Sequence, residues 1–352
     1  MRRCLAALLY PLAAQAITTQ TTCPSTNNCA PPPGSRYDYD LYHKDIEVCF
    51  FSGEFLYWTV DEGALDYAER MKQPAWSPTA SYASGSVESA TYDICPGVRI
   101  SAGYFNAPKY WIVQAQYTHL ISTGKNRAEK PRAAAEYLTG TWPQITTSPL
   151  AHAHSKIFFD YNLFDLLIDR VFFPNPHLRM KVIGGASLAW IQQDWKVQYF
   201  DGGGGDTTIR NRWQYLAGGL RTGISADWYW GNNVYLMASS YAALYMGSYK
   251  NLAKQTTTVQ PVGSDAALPV RDSYLQDTRP SCALQFSIGP AYQKNIGCKR
   301  FEIFAGYEIN GWFNLQEIRR SSSGSPSEAK ETWMSTSMLA LQGLTTRFTF
   351  DF

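Results

Sequence analysis

Phe301-Glu302-Ile303-Phe304-Ala305-Gly306-Tyr307-Glu308-Ile309-Asn310 alternates with a period of two. Phe301, Ile303, Ala305, Tyr307 and Ile309 fall on one side. Glu302, Gly306, Glu308 and Asn310 fall on the other, and Phe304 is the exception. Successive side chains of an extended chain point to opposite faces, so the stretch reads as a β-strand with one apolar and one polar face. The closing stretch Gly343-Leu344-Thr345-Thr346-Arg347-Phe348-Thr349-Phe350-Asp351-Phe352 repeats the pattern. Order up to a final aromatic is expected where the last strand must pair with the first. Phe348, Phe350 and Phe352 are therefore assigned to a barrel-closing terminal strand.

The same alternation recurs upstream. Val98, Ile100, Ala102 and Tyr104 oppose Arg99, Ser101 and Gly103; Trp111, Val113, Ala115 and Tyr117 oppose Ile112, Gln114, Gln116 and Thr118. Ile157, Phe159, Tyr161 and Leu163 oppose Phe158, Asp160 and Asn162, and the apolar set is expected to face lipid. Met180, Val182, Ala186, Leu188 and Trp190 oppose Arg179, Lys181, Gly185 and Ser187, and Leu220, Ile224 and Trp228 oppose Arg221, Ser225 and Asp227. Trp230-Gly231-Asn232-Asn233 reads as a tight turn. Residues 48–60 are bulky on both faces and alternate poorly. A tilted membrane strand needs about 9–11 residues, and on that length the chain holds about twelve strands, within a range of about ten to sixteen. Polar or Gly/Ser/Pro-rich gaps near 122–153, 201–211, 251–280 and 315–333 read as long external loops.

Composition agrees with this reading. Charged residues make up 17% of the 352 residues, below the ~25% of soluble domains, while aromatics reach 14%, as lipid-interface girdles require. The net charge of +2 and scattered basic residues argue against nucleic acid as a partner. Beyond the N-terminus no run reaches the ~18 apolar residues of a membrane helix, which leaves a closed all-β antiparallel transmembrane barrel as the expected way to cross. Arg2-Arg3, the apolar Leu5–Tyr10 and Ala14-Gln15-Ala16 read as a signal peptide over 1–16. A Pro/Thr-rich irregular extension over 17–46 follows, and the barrel occupies 47–352. Cys23, Cys29, Cys49, Cys95, Cys282 and Cys298 form an even set without metal spacing. In an exported chain they are candidate disulfides, within or between chains.

The expected working surface is the polar, lumen-facing row: Arg99, Gln114, Gln116, Asp160, Arg179, Lys181, Arg221, Asp227, Glu302, Glu308 and Arg347. Charges facing an aqueous interior avoid the lipid penalty and bias which solutes pass. Enzymatic signatures are wanting, with no nucleophile elbow, phosphate loop or dinucleotide motif, so neither catalysis nor a cofactor is expected. His152-Ala153-His154 lacks a third metal ligand and reads as a polar loop. Gly202-Gly203-Gly204-Gly205-Asp206 reads as a loop tip.

Several stretches resemble the Legionella major-outer-membrane-protein family, including porin-like proteins of environmental chlamydiae. They are Gly53-Glu54-Phe55-Leu56-Tyr57-Trp58, Phe159-Asp160-Tyr161-Asn162-Leu163-Phe164-Asp165, Gly184 through Asp194, Gly306-Tyr307-Glu308, and Leu341 through Phe352. The Ser-rich stretch after Trp312-Phe313-Asn314 departs from that pattern. The resemblance implies an outer-membrane barrel with porin activity, a Phe352 read by outer-membrane assembly machinery, and association as homo-oligomers or disulfide-linked envelope networks. It supplies no catalytic residues. The expectation is thus a barrel in outer-membrane lipid passing small hydrophilic solutes or ions. A structural envelope barrel or adhesin with little transport is the alternative.

Overall fold

A computed structural model describes residues 47–72, 85–106, 109–133, 136–142, 149–258, 268–296, 299–321 and 332–352. The signal peptide and extension expected over 1–46 lie outside them, as do Cys23, Cys29 and Cys298. Ten long strands close into one antiparallel ring. In chain order they are β1 (Val48–Glu62), β4 (Cys95–Asn106), β5 (Trp111–Glu129), β7 (Leu150–Asn175), β8 (Leu178–Asp201), β9 (Asp206–Gly231), β10 (Val234–Thr257), β11 (Leu268–Ile296), β12 (Lys299–Ser321) and β13 (Thr332–Asp351). Three short strands, β2 (Asp66–Met71), β3 (Gly85–Ser89) and β6 (Tyr137–Gly140), form an annex on β7.

Closure is made by the terminal strand. Gly53 lies opposite Phe348 and Phe51 opposite Phe350, while the Phe352 amide donates to Cys49 O at 3.0 Å. Phe348, Phe350 and Phe352 all point outward and are exposed. The start of β1, the end of β13 and the tight turns share one end of the barrel. At the β9–β10 turn Gly231, Asn232 and Asn233 have φ of 100°, 52° and 66°, the left-handed conformation that a two-residue hairpin turn demands.

The strands are far longer than a bilayer requires. β7–β12 contain 23 to 29 residues each, against the 9–11 or so of a tilted membrane strand. The excess builds a second storey with the opposite polarity. Near the tight-turn end the outward residues are apolar: Met180, Val182, Ala186, Leu188 and Trp190 on β8, and Leu216, Leu220, Ile224 and Trp228 on β9. Farther along the same outward rows come Gln192, Asp194, Lys196 and Gln198, and Gln214, Arg212 and Arg210. Inward the exchange runs the other way. Arg179, Lys181 and Ser187 give way to Ala189, Ile191, Trp195, Val197 and Tyr199, the last five buried. The lower storey has lipid outside and polar groups within. The upper storey has water outside and an apolar core within.

This inversion corrects three expectations. Ile157, Phe159 and Tyr161 are wholly buried inside the barrel, and Asp160 points outward. Their strand segment lies above the lipid belt, where the apolar face must turn in to escape water. The gaps read as loops largely continue the ladder, for example Ser122–Glu129 against His152–Phe159, because paired polar strands persist in water without a lipid face. His152 and His154 belong to that ladder rather than to a loop, their rings 4.9 Å apart beside Phe200. The Gly-rich tip is a tight connection, with Asp201 Oδ1 accepting from Gly203 N and Gly205 N at 2.9 and 2.7 Å.

Candidate functional site: the barrel lumen

Of the residues expected to line a passage, Arg99, Gln114, Gln116, Arg179, Lys181, Arg221, Asp227, Glu302, Glu308 and Arg347 point into the lower storey. Asp160 sits on the outer wall, accepting from Asn162 and Gln192 at 2.7 and 2.9 Å.

The inward charges are joined to one another. Arg99 on β4 donates to Glu54 on β1 at 2.6 Å and grips Glu308 on β12 with both terminal nitrogens, at 2.8 and 3.1 Å. Gln285 on β11 donates to Glu308 and accepts from Arg221 on β9, whose other nitrogen meets Asp165 on β7 at 2.9 Å. From Glu54 the network continues through Arg347 at 3.9 Å to Glu302 at 3.1 Å, then Arg300 at 2.8 Å and Asp351. Nearer the tight turns Arg179 meets Asp227 at 2.6 Å, with Lys181 3.8 Å away and the rings of Tyr229 and Tyr235 beneath the guanidinium. Burial explains the pairing, since a desolvated charge without a partner costs several kcal/mol.

The partners Glu54, Asp165, Gln285, Arg300 and Asp351 escaped sequence reading. Glu54 lies in the segment that is bulky on both faces. Asp165 lies just past the inversion, where the parity inferred for 157–163 points the wrong way.

Directly above the network, aromatic rings fill the bore. Arg99 stacks over Trp58 at 5.3 Å; Tyr161 and Tyr245 pack on Trp312 with ring centres 6.1 and 4.8 Å away. Phe159, Trp213 and Tyr249 continue upward at 6.4 and 6.1 Å, and Arg279 lies 3.7 Å over Tyr249. What space remains is divided. A cavity of ≈ 100 Å³ lies among Gln114, Asp169, Lys181, Glu302 and Arg347, one of ≈ 40 Å³ beside Arg99 and Gln285, and one of ≈ 10 Å³ under Trp312. The first is lined by polar side chains and is roomy enough to hold ordered water.

Cysteine placement gives no intrachain bridge among the described residues. Cys49, Cys95 and Cys282 are free thiols. Cys49 points outward and Cys95 inward at opposite ends of the β1–β4 pair, and Cys282 lies outward on β11.

A closed antiparallel ring, lipid-facing below and water-facing above, with every interior charge drawn inward, defines an outer-membrane β-barrel protein. The chain belongs to the family described as the Legionella pneumophila major outer membrane protein precursor, which it matches over residues 49–352. No curated protein matches it. Among solved structures it is similar to the outer membrane protease OmpT from Escherichia coli, at 7% identity and TM-score 0.38, covering 87% of this chain and 96% of that one. It is also similar to a FadL homologue of Pseudomonas aeruginosa, at 6% identity and TM-score 0.20, covering 92% and 94%. The toluene transporter TodX of P. putida gives 7% and 0.23, covering 86% and 89%.

Proposed function

We propose that this protein serves the outer membrane as a sealed structural barrel presenting a rigid, water-exposed upper storey, with little solute flux in its resting form. One observation carries the reading: the Asp165–Arg221–Gln285–Glu308–Arg99–Glu54 network joins β7, β9, β11, β12, β4 and β1 across the lumen beneath a layer of packed rings. To admit a hydrated ion the barrel would have to break buried ion pairs and displace Trp312 and Tyr245. Each is costly.

The free porin reading draws its support from the ≈ 100 Å³ polar cavity at the tight-turn end, which would be the vestibule of a passage opened by rearrangement. Exposed Cys49 at that end leaves room for cross-links between chains. Planar-bilayer recording separates the two functions. The sealed barrel gives no steady conductance above the lipid background at neutral pH, whereas sustained single-channel steps from wild-type protein would establish the porin instead. Non-reducing electrophoresis checks the cross-link, which is abandoned if the Cys49→Ser pattern equals wild type.

A further inference from the structure

The upper storey carries a row of cations whose register has no explanation within the chain. Lys125 lies opposite Lys156, Lys156 opposite Lys196, Lys196 opposite Arg210, and Arg210 opposite Lys254. The row crosses β5, β7, β8, β9 and β10 at directly paired positions and stops at Asp272, opposite Lys254 on β11. The residues flanking Lys156, Lys196, Arg210 and Lys254 are buried in the barrel, as is Gly124 beside Lys125, so these cations point outward; all are exposed except the half-exposed Lys196. Asp194 engages Arg210, with Nε–Oδ1 2.8 Å. Among the described residues, Lys125, Lys156, Lys196 and Lys254 have no carboxylate within ion-pair distance.

Like charges directly opposite on neighbouring strands repel, and neighbouring strands lie only about 4.8 Å apart. Asp194 offsets Arg210 and Asp272 stands opposite Lys254, but Lys125, Lys156 and Lys196 follow one another across three strands with no carboxylate within ion-pair distance, and an external polyanion would relieve their repulsion. Position identifies its chemistry. Lys196 is six residues beyond Trp190, where the continuous apolar outward row of β8 gives way to Gln192 and Asp194. At about 3.3 Å per residue and ~40° tilt that is roughly 15 Å above the edge of the lipid belt. Arg212 and Lys250 step down from the row toward the belt. At that height a lipid headgroup presents phosphorylated sugar, not acyl chain.

We propose that Lys125, Lys156, Lys196, Arg210 and Lys254 form a binding surface for the phosphorylated saccharide headgroup of a glycolipid in the surrounding outer leaflet. The site lies outside the lumen and does not depend on whether the barrel conducts. Multivalent cation–phosphate contact makes such binding steeply salt-dependent.

The test uses full-length protein in nanodiscs or neutral detergent, with phosphorylated rough lipopolysaccharide, the same glycolipid after dephosphorylation, and heparin as probes. Wild-type protein is expected to bind the phosphorylated glycolipid at least tenfold more tightly than the dephosphorylated one. The combined Lys125→Gln, Lys156→Gln, Lys196→Gln and Lys254→Gln variant should lose that preference, while four Lys→Arg replacements keep it. Without ligand the Gln variant should unfold at a higher temperature than wild type, since the repulsion is gone. Equal affinity of wild type for the two glycolipids overturns the proposal, whatever the variants do. So does tighter binding of heparin than of glycolipid, which would assign the row to a soluble polysaccharide.

Discussion

Arg99 and Glu308 stand on strands β4 and β12, with β1 and β13 between them, and form a two-nitrogen, two-oxygen ion pair at 2.8 and 3.1 Å. Thr345 donates to the same carboxylate and accepts from Trp58 Nε1, both at 3.1 Å. The pair ties the polar lower lumen to the aromatic layer above it. Arg99→Ala leaves Glu308 buried without its cation and Glu54 with only Arg347 at 3.9 Å, and is expected to cost about 3–5 kcal/mol. Arg99→Lys recovers only part of this, because an ammonium cannot bind both oxygens in the same plane. Urea unfolding followed by heat-modifiable migration measures both.

The two-storey wall predicts that position along a strand, not residue type, sets the cost of an outward charge. Leu220 is 75% exposed in the lower storey and Leu252 37% exposed in the upper. Leu220→Arg is expected to destabilise by about 2–4 kcal/mol in bilayers, and Leu252→Arg by less than about 1. Equal costs in lipid vesicles would refute the placement of the belt.

Asp160 and Asp165 test the inversion inside one strand. Asp165→Ala strips Arg221 of its carboxylate in the lumen and should cost about 3–5 kcal/mol, whereas Asp160→Ala on the outer wall should cost less than about 1. A membrane-impermeant maleimide added to intact cells should label Asp160→Cys rapidly and Asp165→Cys hardly at all.

Trp312 is wholly buried with Tyr245 stacked against it. Trp312→Ala is expected to lower stability by about 3–5 kcal/mol. If the ring seals the bore, the same variant should produce brief current steps in planar bilayers that wild type lacks.

Glu62 lies at the upper end of β1, beyond the outward apolar stretch Phe51–Tyr57. Burial pushes its carboxyl up from 4.5 to about 8, against the lowering effect of hydrogen bonds from Gln193 and Tyr92. The folded value exceeds the unfolded one, so its contribution is complete below about pH 4.5 and is progressively lost as pH rises to about 8. Above that it levels off. Glu62→Gln should remove this decline, with the variant the more stable of the two at pH 9 in thermal melts. Parallel pH profiles for variant and wild type would remove Glu62 as the cause.

Alternation in 301–310, 178–190 and 220–228 was sufficient to place Glu302, Glu308, Arg179, Lys181, Arg221 and Asp227 on the lumen side, because these segments cross the lipid belt. It misplaced Asp160 for a physical reason. The pattern apolar–polar is the same whether the apolar side meets lipid or packs in a core, and 157–163 lies on the far side of that change.

By itself, then, the sequence determined that the chain forms strands with two chemically distinct faces, closed by an aromatic terminal strand, since a period of two is a local property of the backbone. Only the tertiary structure decided which face looks inward at each height, and that the inward charges of strands remote in the chain neutralise one another across the bore. Both depend on the medium outside the wall and on which strands the ring makes neighbours, and neither is encoded in any short stretch of residues.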